Sequence, residues 1–165
     1  MIMIPRLLVR ACLALLFAAL VHSAAPPPAA ALETFKVEPL TIETAAGGKY
    51  RFDVEMARTP AQMAQGLMFR NSLAPDAGML FIHETDRVAS MWMKNTLIPL
   101  DMVFIAADGR IADIRERAQP HSLETISSAV PVRAVLEIGG GMASRLGIRR
   151  GDRVLHPAFG TAKAQ

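Results

Sequence analysis

Residues 100–114 read L-D-M-V-F-I-A-A-D-G-R-I-A-D-I. Leu100 to Ile105 is a strand-length apolar run, Ala107-Asp108-Gly109 is a turn, and Ile111 to Ile114 returns as a second strand. Asp-Gly between two such runs is β-hairpin chemistry, because glycine accepts the positive φ that a tight turn demands. This hairpin sets the expectation for the rest of the chain: antiparallel strands joined by short turns.

Upstream, Leu40 to Thr44, then A-A-G-G-K, then Tyr50 to Met56 predict a second hairpin. Its second arm alternates Tyr50, Phe52, Val54 and Met56 with Arg51, Asp53 and Glu55, the period of two of a half-buried strand. Thr59-Pro60-Ala61-Gln62 then opens a short helix, with Thr as N-cap, Pro at the first helical position and Gln closing a capping box. Met63 and Leu67 share one face of that helix, and Gly66 tends to end it. Gly78 to Ile82 and Val88 to Lys94 read as further strands, as does Val132 to Ile138. Gly139-Gly140-Gly141 leads into another short helix, which Gly147 caps in a left-handed conformation while Ile148 packs back on its last turn. Arg153 to His156 is the last strand. The expected fold class is mainly β (α+β): a compact antiparallel, barrel-like sheet with two or so short helices.

The chain has 165 residues. Arg6 and Arg10 precede an apolar run from Ala11 to Val21, and a small-residue site follows with cleavage expected between Ser23 and Ala24. This is the pattern of a secretory signal peptide, and the run is too short for a membrane span. The expected organisation is a signal peptide at 1–23, a Pro/Ala-rich tether at 24–33, a single β-rich domain at 34–160 and a disordered tail at 161–165. The expected location is periplasmic or secreted, with no stable membrane insertion after cleavage. Cys12 is the only cysteine and lies in the signal segment, so the processed chain has neither disulfide nor thiol chemistry. Losing Arg6 and Arg10 takes 18 basic residues to 16, against 15 acidic, so the high pI carries no message about partners. No basic stripe with interleaved aromatics occurs, and no nucleic-acid partner is expected.

Residues 91–101, M-W-M-K-N-T-L-I-P-L-D, concentrate the polar and aromatic side chains that a site would need. Together with G-L-M-F-R (66–70), G-M-L-F-I (78–82), V-L-E-I-G-G-G (135–141) and G-I-R-R-G-D-R-V (147–154), this block resembles domain-of-unknown-function family 192, small and often secreted bacterial and archaeal proteins. The resemblance covers about residues 40–157 and implies a barrel-like, mainly antiparallel β-domain; it implies no activity. Gly139-Gly140 departs from the bulkier residues that relatives more often carry there.

As a strand, residues 91–94 put Met91 and Met93 on one side and Trp92 and Lys94 on the other. The functional reading gathers Trp92, Lys94, Asn95 and Asp101 at a pocket mouth, with Arg70 and Glu137 as contributors. The architectural reading pairs Lys94 with Asp101 and uses Asn95 to shape a turn. Glu137 interrupts an apolar strand; turned inward, its pKa rises unless Arg70 or Lys94 offsets the desolvation. No catalytic nucleophile can be named, and whether the protein is an enzyme stays open. His83, His121 and His156 show no ligand spacing. Met91-x-Met93, with Met56, Met63, Met68, Met79, Met102 and Met142, would suit soft Cu(I), but methionines at these spacings usually fill cores. No metal and no cofactor is therefore expected. The leading expectation is a periplasmic binding or accessory module holding a small polar ligand or a partner peptide, with an envelope protein as the other kind of partner. The alternatives are an envelope hydrolase or lyase using carboxylate acid–base chemistry, and a ligand-free protein-interaction domain.

Overall fold

The structure, a computed structural model, describes residues 32–162. The proposed signal peptide and most of the tether lie outside the described residues. In chain order the elements are β1 (Lys36–Glu43), β2 (Lys49–Ala57), α1 (Pro60–Gln65), β3 (Ala77–Arg87), β4 (Ser90–Met91), β5 (Leu100–Ile105), β6 (Ile111–Ala118), β7 (Ile126–Ser127), β8 (Val132–Gly139), α2 (Met142–Leu146), β9 (Arg153–Leu155) and a 3-10 turn at Pro157–Phe159. No described helix is long and apolar enough to cross a membrane.

Seven strands form one sheet in the order β6-β5-β8-β3-β2-β1-β9, and β4 pairs separately with β7. Both expected hairpins are present, β1–β2 and β5–β6. One pairing breaks the antiparallel pattern: β2 and β3 run parallel, Asp53 opposite Ala77 through Ala57 opposite Phe81. Parallel neighbours need a crossover, and residues 58–76, including α1, supply it. Thr59 caps α1 as its sequence predicts, with both bonds of the capping box in place.

The sheet curls into a half-barrel whose two edges meet at one end. There the β5–β6 turn lies against β9: Val154 N–H donates to the Gly109 carbonyl at 2.8 Å and Ile111 N–H to the Asp152 carbonyl at 2.9 Å. These bonds satisfy edge groups that would otherwise invite pairing with another chain. Gly109 is required twice over, by its φ of 82° and because a Cβ there would sit 2.7 Å from the Val154 carbonyl oxygen.

Period-two alternation sorts the strands onto two cores. Leu80, Val103, Leu136 and Ile138 face the concave interior with Leu40, Ile42, Phe52, Val54 and Met56. Met79, Phe81, Met102, Phe104 and Val135 face outward, yet they are buried too, because Leu67, Ala89 and Met93 cover that face. The second core explains why every residue of β5 is buried.

The strand expected at Val88–Lys94 is a correction: only Ser90 and Met91 pair, with Ser127 and Ile126. Beyond them the chain turns. Met93 donates to the Ser122 carbonyl at 3.0 Å, Thr96 donates back to the Met93 carbonyl at 3.1 Å, and Asn95 adopts a left-handed φ of 55°. Residues 161 and 162 are the last of the described residues. Thr161 Oγ1 accepts from His156 N–H at 2.9 Å and donates to the Val154 carbonyl at 2.9 Å, pinning the segment after the 3-10 turn.

Candidate functional site

Glu137 defines the site. Its partners in register are Met79 on β3 and Met102 on β5, so its side chain lies between theirs on the outer face of the sheet. Alternation alone would turn such a residue to solvent, but the second core covers this face and leaves Glu137 4% exposed. Burial raises its pKa to about 8, and neither Arg70 nor Lys94 offsets it. An uncharged carboxylic acid therefore sits at the base of a narrow crevice of about 30 Å³. The walls are the segment 63–68, Phe81, Met91, Trp92 and Thr96. A space of that size holds one or two waters or the tip of a slender group.

The six sequence candidates separate into distinct roles. Trp92 and Glu137 line the same crevice. Trp92 is half exposed at its edge, and Lys94 lies over the indole with Nζ 5.1 Å from the ring centroid. Asn95 is a buttress: its carbonyl accepts from Phe69 N–H at 2.9 Å, and its Nδ2 donates to Met68 Sδ at 3.9 Å. Arg70 pairs with Glu55 at 2.7 Å, outside the crevice lining.

Asp101 is elsewhere. It neighbours Ile138, not Glu137, and points to the opposite side of the sheet. There its Oδ1 accepts from Arg117 N–H and Gly141 N–H, and its Oδ2 from Ala143 N–H, all at 2.8 Å. Gly141, the N-cap of α2, has no side chain to offer, and Asp101 supplies the missing cap from a different strand. The pairing of Lys94 with Asp101 considered from sequence does not form: the lysine is exposed and the aspartate wholly buried. The acid–base pair of Asp101 and Glu137 is likewise not assembled. The glycine run supports the same junction, since Gly140 N–H donates to the Pro99 carbonyl at 2.9 Å and a Cβ on Gly140 would lie 2.8 Å from that of Pro99.

Sequence reasoning missed Met63, Met68, Thr96 and Phe81 as crevice walls. Met68, Phe81 and Thr96 stand inside the blocks that carry the family resemblance, which was the available signal. A larger hollow, about 540 Å³, lies away from this site, between Lys36–Thr41 and Leu155–Pro157. Its carboxylate, Glu38, is already engaged by Lys36 at 3.0 Å and Arg58 at 3.7 Å, with His156 Nε2 at 3.2 Å. The His156 contact is close but misaligned for a hydrogen bond, and burial holds that imidazole's pKa below its ordinary value. His156 Nδ1 accepts from Ala158 N–H, so the neutral ring serves to shape the 3-10 turn. The crevice, with its unengaged acid, is the better candidate. Among the described residues no group of three or more His, Cys, Asp or Glu could hold a metal ion.

Fold and crevice together define a small, curled β-domain with a covered outer face and a single buried acid beneath it. Residues 41–156 match the model of DUF192, described as an uncharacterized ACR, and the chain belongs to this family. No curated protein matches the chain. Among solved structures, the chain is similar to a Sinorhizobium meliloti protein described provisionally as a transcription regulator, at 46% identity and a TM-score of 0.75, over 76% of this chain and 98% of that one. It is also similar to a Novosphingobium aromaticivorans protein of unknown function, at 41% identity and a TM-score of 0.72, over 79% of this chain and 93% of that one.

Proposed function

We propose that the protein is a periplasmic binding or accessory module that takes a small polar group, of a ligand or of a partner's peptide, into the crevice above Glu137. The observation that supports this is the acid itself. A carboxyl whose pKa burial raises to about 8, with no charged neighbour to offset it, is a hallmark of functional sites. A ligand group entering from outside supplies the partner that the chain withholds. The narrow crevice selects a slender group, and Trp92 with Lys94 offers a surface for whatever lies outside it. The signal-like first 23 residues support export. Native mass spectrometry of the protein recovered from its own cell envelope tests the reading. The expected result is a retained mass that Glu137→Ala and Trp92→Ala both lose. A bare chain, with no change in Trp92 fluorescence across amines, amides, short peptides and sugar acids, would overturn it.

A second reading is docking on an envelope protein without a small ligand. Phe69, Trp92, Leu97 and Leu123 are all large, apolar and exposed. Backbone bonds from Phe69 to Asn95 and from Met93 to Ser122 tie their loops together. Capture of an envelope protein that Phe69→Ser and Leu123→Ser abolish, with Glu137→Gln still binding, favours this reading. The envelope-enzyme reading retains a lone acid without a second carboxylate facing it. The described helices α1 and α2 span only 6 and 5 residues, too short for a groove-reading helix.

A further inference from the structure

We infer that this crevice is a binding site for a soft monovalent cation of the Cu(I) or Ag(I) type, held by the thioethers of Met63, Met68 and Met91 and the carboxylate of Glu137. The inference rests on the binding reading of the crevice and names its occupant.

The described methionines differ in burial, and Met142, partly buried, packs against the first core away from the crevice. Met56, Met79, Met93 and Met102 are at most 2% exposed within the two hydrophobic clusters, where a flexible thioether fills gaps. Met63, Met68 and Met91 are only partly buried, and all three line the one crevice that has Glu137 in its wall. They arrive from α1, from the segment after it and from β4, so their meeting is a product of the fold and not of local spacing. Met63 and Met91 also pack against the second core, but core filling alone does not call for three methionines around one acid.

Thioethers are neutral, soft donors that favour Cu(I) over the harder divalent ions. Three of them leave a monovalent cation's charge uncompensated in an apolar crevice. One carboxylate, once it releases its proton to solvent, balances that charge. The cavity of about 30 Å³ matches a bare ion, not a sugar or a nucleotide. Asn95 Nδ2, directed at Met68 Sδ, holds one sulfur in place before anything binds. Trp92 closes the edge with an aromatic face that already attracts the Lys94 ammonium.

The test is titration of the full chain with Ag(I), a redox-stable probe, in a Cys12→Ser background so that the single thiol does not compete. Binding is followed through the ¹³C-labelled methionine methyls, with Ca(II) and Mg(II) as hard-ion controls. The expected result is one saturating site of micromolar or better affinity that shifts Met63, Met68 and Met91 and leaves Met56 in place. Met68→Leu and Glu137→Gln each weaken it by at least about tenfold, while the thermal melt shows both variants folded. Affinity weaker than micromolar, or binding that survives replacement of all three methionines by leucine, overturns the inference. If Ag(I) fails while an amine, amide or peptide moves Trp92 and the crevice methyls, only the choice of occupant falls. If both fail, the binding reading falls with it.

Discussion

Asp101 and Glu137 occupy neighbouring strands one register step apart, and they face opposite sides of the sheet. The two carboxyls therefore do unrelated work. Asp101 accepts three backbone N–H groups on the concave side and joins β5, the end of β6 and the start of α2. Glu137 accepts no comparable set and remains an uncharged acid under the second core.

Asp101→Ala is expected to destabilise the fold by about 3 kcal/mol, since three backbone donors, one of them buried and two part-buried, lose their acceptor together. Asp101→Asn retains one acceptor oxygen and should cost less. Urea unfolding of the two variants checks the order. A near-neutral Asp101→Ala would show that the α2 junction is held by other contacts.

Glu137 makes stability fall as pH rises. Its folded pKa of about 8 lies above the ordinary value of 4.5, so the folded state holds the proton more tightly than the unfolded chain. The resulting stabilisation is fully present below pH 4.5 and is lost progressively as pH climbs through the folded value near 8. The full span is on the order of 4 kcal/mol for the ligand-free chain. Glu137→Gln, neutral throughout, should remove this slope and be more stable than the parent chain at pH 8. Thermal melts of both proteins across that range measure it; parallel pH profiles would mean that the acid is solvated.

The parts of this arrangement that adjacent residues encode were legible in the sequence. The Asp108-Gly109 turn, the Thr59-to-Gln62 capping box and the Gly147 cap with Ile148 behind it are all local chemistry. The site was only half legible. Alternation in V-L-E-I shows that Glu137 faces away from Leu136 and Ile138, but whether that face is wet depends on Leu67, Ala89 and Met93, which come from remote segments. The role of Asp101 was hidden for the same reason, because its helix begins some forty residues later. Residues 88–94 imitate a strand by alternation, while their backbone partners are the two residues of β7, Ser128, the Ser122 carbonyl and Thr96.

Gly109 closes the half-barrel, and Gly109→Ala tests the closure. The substitution meets both a positive φ and a carbonyl oxygen 2.7 Å from the new Cβ. The expected cost is about 1–3 kcal/mol. The loss should appear as faster hydrogen exchange at the Val154 and Ile111 amides, the two that bridge the edges. Unchanged exchange at both amides would show that the Asp152 loop holds the edge without help from the turn.

Trp92 is the only tryptophan, so its fluorescence reports the crevice edge without ambiguity. Lys94 lies against its ring at the surface, where a cation–π contact contributes roughly 0.5–1 kcal/mol. Lys94→Ala should therefore leave stability within about 1 kcal/mol of the parent chain while altering Trp92 emission. Lys94→Arg, which keeps a cation over the ring, should restore most of the parent spectrum. The two readouts separate roles that a static contact merges. A lysine that only steadied the loop would change stability and emission together, and arginine would rescue neither. A lysine that guards the crevice should change emission at little cost in stability, and its removal should expose the indole face to an incoming cation.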